Sequence, residues 1–344
     1  MLLDKIDFSR HYLHVSVAVL YVIYLLQIPP IFLLVCLIWI GFNRQKFADV
    51  FSRGELPPTS TMPTIVQHVV KSTFKGLTLR SVPKRPRSPL ITPEAKVLTI
   101  ANTYAQMSES ARLPSTYLDI EHMQKLFGSS KQKKYLNLSA AQMDAKLTKF
   151  VKHLDTAGTP GCLFFSMHGV GGSSVDEALV GDDGNLLMES RLAKILEAAT
   201  KTPLLLLVVD ACNSGGILNF PHTYTVRSDK RMEAITHRDG LLGNHRAFNP
   251  QVPCICLSAA RESQVTEAYS TGSLFTIELV KASQPGKSVW DVLCAVSLAF
   301  QKRKSTNRID PVVGFNDAFL KLYGKQGKSH QDLLNGVCII DRKP

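Results

Sequence analysis

Two polar stretches break the apolar interior of this 344-residue chain at places where chemistry is possible. The run "PLLLLVV" (203–209) stops at Asp210, Ala211, Cys212, Asn213, Ser214, Gly215 and Gly216, and the run "GCLFFSM" (161–167) stops at His168, Gly169 and the loop "VGGSS". A cysteine thiol has an ordinary pKa of ~8.5 and is mostly protonated at neutral pH; an adjacent imidazole raises the thiolate fraction and later protonates a leaving amine. Cys212 and His168 therefore read as a nucleophile and its general acid/base. The small residues around them let a peptide backbone approach closely, and the backbone N–H groups of Gly169 and Cys212 are expected to form an oxyanion hole. "GVGGSS" could also suggest a phosphate cradle, but it lacks the Gly-Lys-Ser/Thr ending of such loops. Cys162, Cys254, Cys256, Cys294 and Cys338 lie in apolar surroundings and read as buried structural thiols.

For these two groups to meet, the runs that carry them must be neighbouring strands with their carboxyl ends on one edge, where open α/β sheets gather functional residues. The pattern after Pro93 fits. "KVLTIA" (96–101), "GCLFFSM", "PLLLLVV" and "VPCICLS" (252–258) are short apolar runs that predict strands buried on both faces. Between them "TYLDIEHMQKLF" (116–127), "SAAQMDAKLTKFVKHL" (139–154) and "ESRLAKILEAA" (189–199) predict helices, the second opened by Ser139 and Gln142 at capping-box spacing. "GSLFTIELVKA" (272–282) and "SVWDVLCAVSLAFQKR" (288–303) predict two more, with Ser288 and Asp291 placed as a cap. The expected architecture is an α/β three-layer sandwich, a mostly parallel central sheet flanked by helices. Residues 217–251 are polar and basic and predict an inserted loop.

The N-terminal part is different. Tyr12 to Phe42 carries no Asp, Glu, Lys or Arg and predicts a transmembrane anchor. As one straight helix it would run roughly 45 Å, longer than a ~30 Å hydrocarbon core. Pro29 and Pro30 at its middle make a kinked single span the favoured form over a shallow hairpin. Residues 1–11 are a charge-balanced flank, whereas 43–94 are basic and Pro-rich and read as a tether, so the positive-inside bias puts the remainder, 95–344, in the cytosol. The net charge of +12 suits an anionic partner. Its concentration beside the membrane segment points to lipid headgroups, and no nucleic acid partner is expected. Seven cysteines without C-x-x-C spacing exclude a disulfide framework and a zinc site.

"FFSMHGVGG" with "LVVDACNSGG", followed by "CLSAARESQVTEAYSTGSLFTIELV" and "DPVVGF", resembles the caspase-like peptidase family C14, and within it the metacaspase branch, over about Lys96 to Phe315. His168 and Cys212 stand 44 residues apart in the family's order. The resemblance implies a caspase-like fold and a cysteine endopeptidase that cuts after Arg or Lys through a thioester acyl-enzyme. Asp210 matches a pocket acid for the basic side chain, Ser166 a second pocket position and Asp119 a third, although "LPSTYLD" replaces much of the block around it and Met167 stands where glycine is usual. Two carboxylates in a cleft attract a cation and repel an acidic side chain. Protein or peptide substrates with a basic residue before the scissile bond are the expected partners. No cofactor is required for the chemistry; calcium activation is implied through Asp176, Glu177, Asp182, Asp183 and Glu189, although "GDDGN" also reads as a turn. Self-cleavage is expected at Arg227, Lys230, Arg231 or Arg238. The alternative is a catalytically weak, membrane-anchored caspase-like scaffold or regulatory module.

Overall fold

A computed structural model of the chain describes residues 87–340 except 129–131, 173–174, 228, 236–247, 262–263, 265–267, 303–308 and 325–327. Arg85–Pro344 form one compact unit. The expected anchor at 12–42 and most of the expected tether lie outside the described residues. Among the described residues no helix is long and apolar enough to cross a membrane.

In chain order the first elements are β1 (Ser88–Ile91), β2 (Lys96–Ala101), α1 (Thr116–Phe127), β3 (Gln132–Leu136), α2 (Ala140–Ala157) and β4 (Gly161–Ser166). A small meander follows, β5 (Gly169–Gly172), β6 (Val175–Val180) and β7 (Leu186–Met188), then α3 (Glu189–Glu197) and β8 (Leu205–Asp210). The second half holds β9 (His222–Val226), β10 (Met232–Ala234), β11 (Cys254–Ser258), β12 (Ala268–Tyr269), β13 (Gly272–Ser273), α4 (Leu274–Ala282) and α5 (Val289–Lys302). It closes with β14 (Val312–Phe315), α6 (Asp317–Tyr323), α7 (His330–Gly336) and β15 (Val337–Ile340).

The central sheet has eight strands in the order β10-β9-β14-β11-β8-β4-β2-β3. From β3 to β11 every pairing is parallel, whereas β14, β9 and β10 run antiparallel at the other edge. The sheet is therefore mixed, its parallel part running from β3 to β11. "VVGF" has the composition of either kind of strand, and strand direction is set by where α5 returns the chain. Alternate residues of β8 divide between the faces. Leu206 and Val208 pack with residues of α1, α4 and α5, and Leu205, Leu207 and Val209 with α2 and α3. A strand covered on both sides has no polar face, which is why 204–209 is uninterrupted Leu and Val.

Local signals fix the helix ends. Ser139 and Gln142 close the capping box of α2, and Gly158 ends that helix in the left-handed region. Ser288 and Asp291 exchange side-chain to backbone hydrogen bonds at the start of α5. Two sequence expectations are revised. β1 falls inside the stretch read as tether and pairs with β15, burying Leu90 and Ile91 against the main core. Residues 217–251 are not wholly a loop, because β9 inserts between β14 and β10 and buries Thr223, Thr225 and Val226.

Candidate active site

β4 and β8 are adjacent, parallel and in register, with Ser166 beside Asp210. Two residues on, the chain reaches His168 from one strand and Cys212 from the other, at one carboxyl edge. The pairing continues past the strands through Met167 N–H, which donates to the Asp210 carbonyl at 3.2 Å. Gly169 makes the approach possible: a Cβ there would stand 2.1 Å from the Cys212 carbonyl oxygen. Asn213 takes φ 53°, turning the chain sharply after Cys212, and its N–H donates to the Gln264 carbonyl at 3.0 Å.

Cys212 is half-buried; Cys162, Cys254, Cys256, Cys294 and Cys338, the other described cysteines, are all buried. Burial pushes the thiols of Cys256 and Cys294 up to about 12, and raises Cys162 and Cys254 as well. Only at Cys212 does a described thiol meet the cleft. His168 is also half-buried. Its Nε2 lies 2.7 Å from the Ala111 carbonyl oxygen, which orients the ring and, with the proton on Nε2, makes Nδ1 its basic nitrogen. Val180 N–H donates to the His168 carbonyl, which makes Gly169 and Leu179 the next, non-hydrogen-bonded pair of the β5–β6 ladder. The Gly169 amide therefore points away from β6, on the side where its carbonyl meets Asn213 Nδ2 at 3.5 Å. That is the direction an oxyanion donor needs.

Ser166, Asp119 and Asp210 come together below this edge. Ser166 Oγ donates to Asp119 Oδ2 at 2.6 Å, and the Ser273 N–H donates to Asp119 Oδ1 at 2.8 Å. Thr276 gives Asp210 Oδ2 both its hydroxyl, at 2.5 Å, and its N–H, at 3.2 Å. Both carboxylates thus sit at the N-terminus of α4, whose unpaired amides favour anions. Against that, Asp119 is fully buried and Asp210 nearly so. Burial, with the Asp210 charge second, pushes Asp119 up to about 7, and burial raises Asp210. A buried acid pair that holds on to a proton is a site short of a cation.

The acids implied for calcium have these partners. Asp182 accepts from the Tyr104 N–H at 2.9 Å, Asp183 from Ala140 and Asn185, and Glu189 from the Asn219 N–H at 3.1 Å. Glu177 is buried beside Gly171, and the Asp176 side chain is outside the description. Among the described residues no group of three or more His, Cys, Asp or Glu side chains is arranged to hold a metal. Of the expected self-cleavage residues, Arg227, Lys230 and Arg231 sit in the tight turn between β9 and β10, where Arg227 also pairs with Glu233 and Arg231 with Asp229. Arg238 lies outside the described residues. Two further histidines have partners: His122 Nε2 meets the Thr271 carbonyl at 3.0 Å, and His222 pairs with Asp317 at 2.8 Å. His237 and His245 are not described.

Sequence reasoning missed Ala111, Tyr104, Ser273 and Thr276. Ser273 and Thr276 fall in the family-like stretch 256–280, so that signal existed; a backbone carbonyl such as that of Ala111 leaves no mark in residue type.

Residues 94–326 match the family model of the caspase domain, peptidase C14. The chain belongs to that family. No curated protein matches it in sequence. Solved structures similar to this caspase domain include a protein from Geobacter sulfurreducens, at 16% identity over 66% of this chain and 97% of that one, with a TM-score of 0.47. Caspase-1 from Spodoptera frugiperda is similar at 11% identity over 68% of this chain and 90% of that one, with a TM-score of 0.44. Family membership rests on the family model, and it makes the caspase domain one of a cysteine peptidase family.

Proposed function

We propose that this caspase domain is a metacaspase-type cysteine endopeptidase that cuts peptide bonds after Arg or Lys. The observation that carries the reading is the buried pair Asp119, held by the Ser166 hydroxyl, and Asp210, on the strand beside Ser166, below the edge that bears His168 and Cys212. A guanidinium or ammonium group entering there neutralises both carboxylates, while an Asp side chain meets a third like charge.

The chemistry follows. The Cys212 thiolate adds to the carbonyl carbon, and the amides of Gly169 and Cys212 receive the oxyanion. Collapse breaks the C–N bond, His168 gives its proton to the leaving amine, and a thioester remains on Cys212. Water, losing a proton to His168, adds to the thioester; the acid product leaves and the thiol is restored. The segment at 12–42 would hold this activity at a membrane with the peptidase facing the cytosol.

The test uses fluorogenic peptides ending in Arg, Lys or Asp, with and without calcium, on the full chain and on Cys212→Ala. Cleavage of Arg and Lys but not Asp peptides, lost in Cys212→Ala, is the expected result. Cleavage of Asp peptides alone would refute the pocket assignment. A folded chain that cleaves none of them would leave the scaffold reading.

A further inference from the structure

The first rung of the β5–β6 ladder is completed by a side chain. His168 and Val180 stand opposite each other, one step before Gly169 and Leu179, at a position where antiparallel partners exchange two N–H···O=C bonds. One bond is direct, from Val180 N–H to the His168 carbonyl at 3.0 Å. In place of the other, the His168 N–H donates to the Tyr104 hydroxyl at 2.9 Å, and that hydroxyl donates to the Val180 carbonyl at 2.7 Å. The Tyr104 ring reaches the imidazole itself, with ring centroids 4.6 Å apart and planes inclined by 36°.

Tyr104 holds this place at a cost. It is fully buried with φ 55°, a left-handed conformation that a bulky residue rarely adopts. Such backbone persists where its surroundings over-determine it, and it clusters at functional sites. Here the surroundings are specific. The Tyr104 N–H is capped by Asp182 Oδ1 at 2.9 Å and its carbonyl accepts from Met107 N–H at 3.0 Å. The same segment then runs on to Ala111, whose carbonyl takes His168 Nε2. One loop therefore grips the imidazole residue at its backbone, its ring face and its far nitrogen.

We infer that Tyr104 is a positioning residue for the general acid/base: its hydroxyl sets the backbone from which His168 projects, and its ring supports the protonated imidazole. This rests on the dyad reading above. The second role follows because an aromatic face favours a cation over a neutral ring. Losing the hydroxyl should misplace the imidazole, and misplacement of this kind costs rate without costing ground-state binding.

The experiment compares Tyr104→Phe and Tyr104→Leu with wild type in the full chain. It follows kcat and KM on an Arg peptide, the pH profile of Cys212 alkylation by iodoacetamide, and melting temperature. Tyr104→Phe is expected to lower kcat about tenfold with KM within about twofold and the alkylation profile unmoved. Tyr104→Leu should lower kcat further and move the acid limb of alkylation up by about half a pH unit. Wild-type kcat and profile in both variants, with only the melting temperature lowered, would make Tyr104 a core residue and overturn the inference. If neither variant folds, Asp182→Ala decides, because it loosens Tyr104 from outside the core: kcat should fall with KM unchanged, and Asp182→Asn, whose amide oxygen still accepts from Tyr104, should restore it. An unchanged kcat in Asp182→Ala would overturn the inference. Wild-type Cys212 that alkylates no faster than the buried thiols would remove the dyad and this inference together; fast wild-type alkylation with unaffected variants removes this inference alone.

Discussion

The acid pair under the active-site edge predicts that substrate binding expels a proton. In the free protein, burial and the Asp210 charge hold Asp119 up to about 7, against an ordinary value of 3.8. A guanidinium that contacts both carboxylates requires both to be ionised. If only the ionised pocket binds, the apparent Kd scales as one plus the ratio of protonated to ionised pocket, so affinity for an Arg peptide should weaken about tenfold from about pH 8 to about pH 6. Stability moves the other way. The folded state holds a proton that the unfolded chain gives up near 3.8, so stability is greatest at low pH and is lost as pH rises through 7. Titration calorimetry on Cys212→Ala with an Arg-terminated peptide, in two buffers of different ionisation enthalpy, separates this effect from the titration of the dyad. Below about pH 7 peptide binding should release protons. Asp119→Asn should bind weakly, show no proton release, and lose the pH slope of its stability. The nearby His122, which also approaches Gly272, is controlled by His122→Gln, which keeps a donor for the Thr271 carbonyl and should leave proton release intact. Binding that is flat with pH, or proton release that survives in Asp119→Asn, would refute the reasoning.

Three further outcomes follow from single contacts. Thr276→Val removes the 2.5 Å hydroxyl contact to Asp210 while keeping the side chain's shape; KM for Arg peptides should rise roughly three- to tenfold with kcat near wild type. Gly169→Ala puts a Cβ against the Cys212 carbonyl, a backbone atom that cannot rotate away; activity on Arg peptides should fall about a hundredfold even where circular dichroism shows an intact fold. Leu207 is fully buried in the central strand, and Leu207→Ala should cost about 2–5 kcal/mol in urea denaturation; a loss under about 1 kcal/mol would mean β8 is not at the centre of the core.

What was readable in the sequence tracks how directly each residue's chemistry constrains its type. Cys212 and His168 could be found because a thiol and an imidazole at the ends of two strands have few other reasons to share an edge, and the register of β4 and β8 brings them there. Asp119 could be matched only through resemblance, since its partners are contributed from 47 residues onward by Ser166 and 154 residues onward by Ser273. The acids of "GDDGN" were open to two readings, because a carboxylate that caps a backbone amide and one that binds a cation are the same residue in the same kind of turn. Asp182 and Asp183 accept amide hydrogens, a contact their composition could not announce. Tyr104 was hidden for a different reason. In a segment with no periodic pattern, a tyrosine gives no sign of a left-handed φ or of a hydroxyl that replaces a rung in a distant hairpin. The proposed nucleophile and base are specified by what they are, whereas the groups around them are specified by where the chain is forced to pass. The fold supplies that second kind of information, and it is in the 102–111 segment that it changes the account of the site.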